Sequence, residues 1–251
     1  MKINKRQAQI VQIVDVENKV SVNDLARRLN ISEVTIRKDL SLLSEYGILI
    51  REHGYALKKN TSDITNRLSI NYDIKCKIAR KACSLIDPNE TILIASGSTC
   101  ALLAEEIAKT RPSVTIITNS VYIAEHASKI GKNKIILLGG EYQSDSQVMV
   151  GPIVRSSVKQ FYVNKIFLGT DGFMKKAGFM GSDYSRTEAI RSMIESAKNT
   201  IVITDSTKFD KRGLLVQFAD NQVDELVTDS NIDEELKNYF IRLGVKVHIV
   251  D

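Results

Sequence analysis

Five clusters of small and polar residues punctuate the last two thirds of the chain: Ser96-Gly97-Ser98-Thr99, Thr118-Asn119-Ser120, Gly139-Gly140, Gly169-Thr170-Asp171-Gly172 and Asp205-Ser206-Thr207-Lys208. The first leads directly into a predicted helix over residues 99–109. Backbone N–H groups and the helix dipole there favour an anion such as phosphate. The Ser98 and Thr99 hydroxyls are further donors, Lys208 supplies positive charge, and Asp171, Glu188 and Asp205 accept hydrogen bonds from hydroxyls. A ligand with one phosphate and several hydroxyls, a sugar phosphate, matches that set. Any one cluster by itself is a turn; five at one sheet edge point to a shared pocket.

A second set lies in V-S-V-N-D-L-A-R-R-L-N-I-S-E-V-T-I-R-K-D-L-S-L-L-S-E-Y-G, residues 20–47. Ser32 stands at an N-cap position. Val34, Lys38 and Ser41 then share one helix face, with Thr35 and Arg37 on its shoulders. Arginine and lysine suit phosphates or guanine edges, threonine a phosphate, and valine a thymine methyl. Arg51 and His53 follow in I-L-I-R-E-H-G-Y-A-L-K-K, together with Lys58 and Lys59.

The elements that position these groups follow from periodicity. Leu25, Ala26 and Leu29 mark a short helix that Asn30 ends, and Ile36, Leu40 and Leu43 mark the buried stripe of a second, which Gly47 stops. A hairpin follows. Two helices about a tight break plus a basic hairpin are the layout of a winged helix-turn-helix, whose second helix enters the DNA major groove. Beyond residue 71, apolar runs at 91–95, 114–117, 134–138, 165–168, 200–204, 225–228 and 246–250 alternate with helical segments such as 101–108 and 186–197. That is the pattern of a mostly parallel, Rossmann-like sheet. Residues 142–150 read as an inserted hairpin. The domain reading is therefore 1–57 for the DNA-binding module, 58–70 for a polar, aperiodic linker, and 71–251 for an effector domain.

Composition agrees. The chain has 251 residues, 43% apolar and 26% charged, ordinary for a soluble protein. Residues 1–60 hold 11 Lys+Arg against 7 Asp+Glu, while the rest is nearly balanced, so the excess positive charge sits in the module expected to meet DNA. The N-terminus lacks the apolar core of a secretory leader, and no apolar run approaches a membrane span. Cys76, Cys83 and Cys100 have no metal-ligand spacing and read as reduced thiols. Gly97 stands alone where a dinucleotide fingerprint needs three glycines, and Thr118-Asn119 replaces the acid that would hold a ribose. No cofactor is expected.

The chain resembles the DeoR-type family of bacterial transcriptional regulators over nearly its whole length. The residues that carry the likeness are 20–47 with R-E-H-G at 51–54, N-Y-D-I-K, S-G-S-T, T-N-S, L-G-G, G-T-D-G-F, the Glu188 helix and D-S-T-K-F. The resemblance implies a sensor domain similar in fold to sugar-phosphate isomerases. It also implies a cytoplasmic, usually repressing regulator of a carbohydrate operon that answers a phosphorylated intermediate. A dimer or tetramer on duplex operator DNA is expected, since one winged helix contacts too little DNA. Two positions depart from the family pattern: Tyr55 where the wing has a second glycine, and Ser96 where the phosphate loop begins with aspartate. Two alternatives stand beside this reading. One is an isomerase-like enzyme fused to a DNA-binding module, since Asp171, Glu188, Asp205 and Lys208 could serve acid–base chemistry. The other is a regulator of a non-sugar phosphate or a free polyol.

Overall fold

The computed structural model describes residues 4–58 and 64–251, and the chain divides into two compact units, 1–72 and 73–251.

In the first unit, α1 (Lys5–Glu17) opens on a reciprocal cap. The Asn4 side chain accepts from the Gln7 N–H at 2.9 Å, and the Gln7 side chain accepts from the Asn4 N–H at 3.2 Å. After β1 (Lys19–Ser21), α2 (Val22–Leu29) ends on Asn30 in the left-handed region, φ 53°. Ser32 then caps α3 (Glu33–Glu45) through the Thr35 N–H at 3.3 Å. Both helix boundaries expected from Asn30 and Ser32 are thus present. Strands β2 (Leu49–Glu52) and β3 (Tyr55–Lys58) turn through His53 and Gly54, both at positive φ, as a two-residue hairpin with right-handed twist requires. β1, which is too short for its periodicity to show, pairs with β3 and makes a three-stranded sheet, order β1-β3-β2. Ile10, Leu25, Ile36, Leu40, Leu43 and Ile48 close the core between helices and wing.

Part of the segment read as linker is regular structure. Lys58 ends β3, and α4 (Ile64–Ser69) lies within it, with Ile64 buried. Lys59 and residues 60–63 lie outside the described residues. The polar composition hides α4 because six residues are too few for a 3.6-residue period to declare itself.

The second unit begins with α5 (Tyr72–Cys83) and β4 (Thr91–Ile94), then α6 (Ser98–Thr110), β5 (Thr115–Thr118), α7 (Val121–Ser128) and β6 (Ile135–Leu137). The expected hairpin follows as β7 (Glu141–Gln143) and β8 (Val148–Val150), and then α8 (Pro152–Val158) and β9 (Val163–Leu168). Next come β10 (Gly172–Met174), β11 (Gly178–Gly181), α9 (Tyr184–Ile194), β12 (Ala197–Ile203), a 3₁₀ turn at Ser206–Lys208 and β13 (Leu215–Phe218). β14 (Glu225–Asp229), α10 (Glu234–Arg242) and β15 (Lys246–Val250) complete it. All seven strands expected from apolar runs are in one sheet, order β15-β14-β12-β9-β4-β5-β6, with every pair parallel. Ile92, Leu93 and Ile94 are all fully buried. Successive side chains point to opposite faces, so both faces of β4 are covered.

The strand order fixes where a ligand can enter. The chain winds outward from β4 through β5 to β6, then returns beside β4 as β9 and winds the other way. The reversal between β4 and β9 is a topological switch point, where the loops diverge and leave a crevice beyond the carboxyl ends. The sequence did not reveal the small antiparallel sheet β10-β11-β13. Its strands are three or four residues long, and β10 and β11 begin on glycines.

Candidate functional site

The DNA-facing set lies on α3 and the wing. Val34 is 65% exposed. It is a β-branched side chain left in water on the second helix of this motif, where a thymine methyl would cover it. Arg37 is held over Glu33 at 2.9 Å, an exposed pair one helical turn apart, and Lys38 is exposed beside it. Ser41 is used structurally: its hydroxyl donates to the Arg37 carbonyl at 2.8 Å and accepts from Arg51 Nη1 at 2.6 Å. Arg51 of β2 is thereby fixed against α3, so wing and helix present their charges as one surface. Ser32 is engaged as the cap and touches Thr35 Oγ1 at 3.0 Å. His53 stands at the wing tip, almost wholly exposed. Lys58 points elsewhere, paired with Asp15 at 2.8 Å. At the departure from the family pattern, the Tyr55 ring carries Lys19 Nζ 4.4 Å from its centre, a cation–π contact that seats the wing strand on β1. Arg37→Ala should weaken operator binding by about 1–3 kcal/mol with circular dichroism unchanged. Unchanged affinity would mean that α3 does not lie in the groove.

Sequence reading missed Asp39. It faces inward from α3 and is buried. Arg6 Nε at 2.6 Å, Arg6 Nη2 at 3.1 Å and Gln7 Nε2 at 3.1 Å all donate to its carboxylate. Arg6 in turn is held above its usual pKa, first by that hydrogen bond. The available signal was a carboxylate three residues from Ile36 and four from Leu43, on the buried stripe.

The effector set is divided more sharply. β4, β5, β6, β9 and β12 each end at one of the five clusters, all at the carboxyl edge of one parallel sheet. The S-G-S-T turn lies at the switch point itself. Gly97 has φ 142°, which L side chains rarely adopt, and it leaves α6 with no side-chain cap. No side chain at Gly97 caps the first turn of α6, in a site where Ser98 and Thr99 are buried and Ser96 is half-buried. On the neighbouring strand end, Asn119 is 1% exposed. Its Nδ2 donates to the Met149 carbonyl at 3.0 Å, and its Oδ1 has no partner among the described residues. An unpaired buried acceptor beside uncapped N–H groups is the pairing that a phosphate and a hydroxyl on one ligand would satisfy.

Other members of the set make contacts within their own unit. The Thr118 hydroxyl accepts the Ser120 N–H, and Ser120 caps α7 through the Ile123 N–H. A side chain on Gly140 would meet the Val150 carbonyl at 2.5 Å, and one on Gly172 the Lys211 carbonyl at 2.3 Å, so both glycines permit close backbone packing. Gly139 is exposed next to Ile153. The Thr170 hydroxyl shares its proton between the Gly172 carbonyl of its own loop at 2.6 Å and the Met180 carbonyl of β11 at 3.0 Å. Asp171 accepts from the Ser182 hydroxyl at 2.7 Å. Asp205 accepts from the Thr207 hydroxyl, and the Lys208 N–H donates to the Asp205 carbonyl at 3.1 Å. Glu188 is turned toward β13: it pairs with Arg191 at 2.6 Å, and Arg191 Nε donates to the Gln217 carbonyl. The helix signal placed Glu188 correctly on α9, but its ion pair with Arg191 gave no sequence cue separate from an ordinary i, i+3 pair.

Asp183, also missed, caps α9 through the Arg186 N–H at 2.8 Å and receives Gln143 Nε2 from the β7–β8 hairpin at 3.3 Å. Burial pushes its carboxyl up, but the Arg186 N–H, the Gln143 amide and the Arg186 charge together hold it below the usual aspartate range. A depressed folded pKa contributes stability above the unfolded value and loses it as pH falls through the folded one. Asp183→Asn should therefore be less stable than wild type by a constant margin above about pH 5, and the margin should shrink below about pH 4. Urea unfolding at stepped pH checks this; a margin that persists at the lowest pH contradicts it.

A winged helix and a parallel α/β unit on one chain are the make-up of a ligand-responsive transcriptional regulator. The DeoR-like helix-turn-helix domain matches residues 6–62 and the DeoR C terminal sensor domain matches residues 70–230; the chain belongs to that family of transcriptional regulators. It is 32% identical to the transcriptional repressor AccR of Agrobacterium fabrum, over 94% of this chain and 96% of that one. It is 27% identical to the glycerol-3-phosphate regulon repressor of Escherichia coli, over 92% of each. Among solved structures, ribose 5-phosphate isomerase A of Methanocaldococcus jannaschii aligns with a TM-score of 0.42 at 19% identity, over 55% of each chain. Among the described residues no helix is long and apolar enough to cross a membrane.

Proposed function

We propose that this protein is a cytoplasmic repressor of a carbohydrate-utilisation operon, at least dimeric on its operator, and released when a phosphorylated sugar binds at the carboxyl ends of β4 and β5. The observation that carries this is the uncapped first turn of α6 at the switch point, beside the unpaired Asn119 Oδ1. The anion fits the N–H groups and dipole, and a hydroxyl fits the acceptor. The name of the Escherichia coli relative, a repressor of a glycerol-3-phosphate regulon, supports a phosphorylated effector. Sensing is favoured over catalysis because the α/β unit shares its chain with a DeoR-like helix-turn-helix domain.

An effector releases the operator only if it binds one arrangement of the protein better than the other. The test is operator release against effector concentration, after a thermal-shift screen of sugar phosphates has found the compound that stabilises the fold. Ser98→Ala with Thr99→Ala should keep operator affinity within about twofold and raise the releasing concentration at least about tenfold. Each hydroxyl donated to a charged oxygen is worth roughly 1.5–3 kcal/mol. Release at the wild-type concentration would remove the phosphate from this site.

A further inference from the structure

The sheet order and three sets of hydrogen bonds describe a closed circuit around the start of α6. β4 lies between β5 and β9. Past the end of β5, the Asn119 carbonyl and side chain take and give bonds to Met149 of β8, at 2.8 and 3.0 Å. β8 pairs with β7, where Gln143 stands opposite Val148. Gln143 Nε2 then reaches Asp183 at 3.3 Å. The residue before Asp183, Ser182, donates its N–H and hydroxyl to Asp171, past the end of β9. The hairpin β7–β8 therefore ties the β5 side to the β9 side, and β4, from which α6 starts, lies between those two strands in the sheet.

One cation is built into that circuit. Arg186 follows Asp183 by three residues, and its side chain is 14% exposed. Its Nε lies 3.6 Å from Asp183 Oδ1, too far for a hydrogen bond, and that oxygen already accepts the Arg186 backbone N–H at 2.8 Å. Arg186 Nε is buried with no acceptor, as is the hydroxyl of Thr187 beside it, which lacks a partner among the described residues. A buried guanidinium N–H without an acceptor is costly, and a guanidinium fork matches two oxygens of a phosphate. Resting on the sugar-phosphate reading above, we propose that Arg186 binds the effector's phosphate, opposite the N–H groups of α6, and that the Gln143–Asp183 bond sets the height of the β7–β8 hairpin over it.

The experiment is isothermal titration calorimetry of the full chain. The probes are inorganic phosphate, glycerol 3-phosphate and a panel of pentose and hexose monophosphates, each sugar beside its unphosphorylated parent. Arg186→Gln should raise the Kd of the tightest-binding phosphate at least about tenfold and leave that of the parent sugar unchanged. Arg186→Lys keeps the charge but loses the fork and should fall between, about three- to tenfold weaker. Circular dichroism and operator affinity report folding. Wild-type affinity in Arg186→Gln overturns the assignment and leaves the sugar-phosphate reading standing. Should Arg186→Gln not fold, wild-type affinity in Arg186→Lys overturns it in the same way. A wild-type protein that binds none of the phosphates overturns both.

Discussion

Asp39→Ala is expected to lower the stability of the N-terminal unit by about 2–3 kcal/mol and to abolish operator binding at working concentrations. Removing one partner of a buried ion pair ordinarily costs about 3–5 kcal/mol because the other charge is stranded. Here Arg6 is 38% exposed and can turn into water, which places the cost below that range. Gln7, itself buried, loses an acceptor with no such escape. The functional loss exceeds what stability alone explains. Asp39 is the polar tether between α1 and α3, and Arg37 and Lys38 precede it directly on the helix that faces DNA. An α3 that rocks on its apolar stripe presents those charges in many orientations, and base contacts do not survive such a spread. Asp39→Asn keeps an acceptor for Gln7 and should be milder on both counts. Native-state hydrogen exchange at α1 and α3, with operator titration, separates the effects. If α3 amides keep their protection and affinity stays within twofold, apolar packing alone orients the helix.

The parts legible in the sequence were those written by strong local rules. Ser32 and Asn30 marked helix ends because a side-chain cap and a left-handed residue are local devices, and His53-Gly54 marked the wing turn for the same reason. The seven sheet strands were legible because strands covered on both faces become near-continuous apolar runs. The order of those strands was not legible, yet it is what places S-G-S-T at the switch point. What escaped notice was made of long-range pairs: Asp39 with Arg6 thirty-three residues away, and Gln143 with Asp183 forty residues away. Neither partner has a pattern that names the other. The same holds for Gly140 and Gly172, whose need for a bare backbone comes from the carbonyls of Val150 and Lys211 and from nothing in their own neighbourhoods. A turn that holds a ligand and a turn that packs against backbone use the same residue types, so the sequence alone does not sort the five clusters.

Phe240→Ala is expected to destabilise the sensor unit by about 3–4 kcal/mol and lower its melting temperature by about 10 °C. Phe240, on α10, is fully buried, with its ring centre 5.1 Å from Phe173 and 5.8 Å from both Phe179 and Phe209. Two of those neighbours give the change a functional edge. Phe173 follows the Gly169–Gly172 loop directly, and Phe209 follows Lys208. Both loops on the β9 and β12 side of the crevice thus rest on one ring. Truncation to alanine leaves a cavity under both, and the loops then fluctuate at the sheet edge where the effector is proposed to bind. Part of the binding energy goes into ordering them, so the effector-induced rise in melting temperature should shrink as well as the baseline. Leu226→Ala is the control: Leu226 is equally buried in the same core cluster, but on β14 away from those loops. It should lower the baseline comparably and keep the effector-induced rise. Differential scanning calorimetry of the three proteins, with and without saturating effector, decides. Equal effector-induced rises in Phe240→Ala and Leu226→Ala would mean that the aromatic cluster stabilises the unit without holding the effector loops in place.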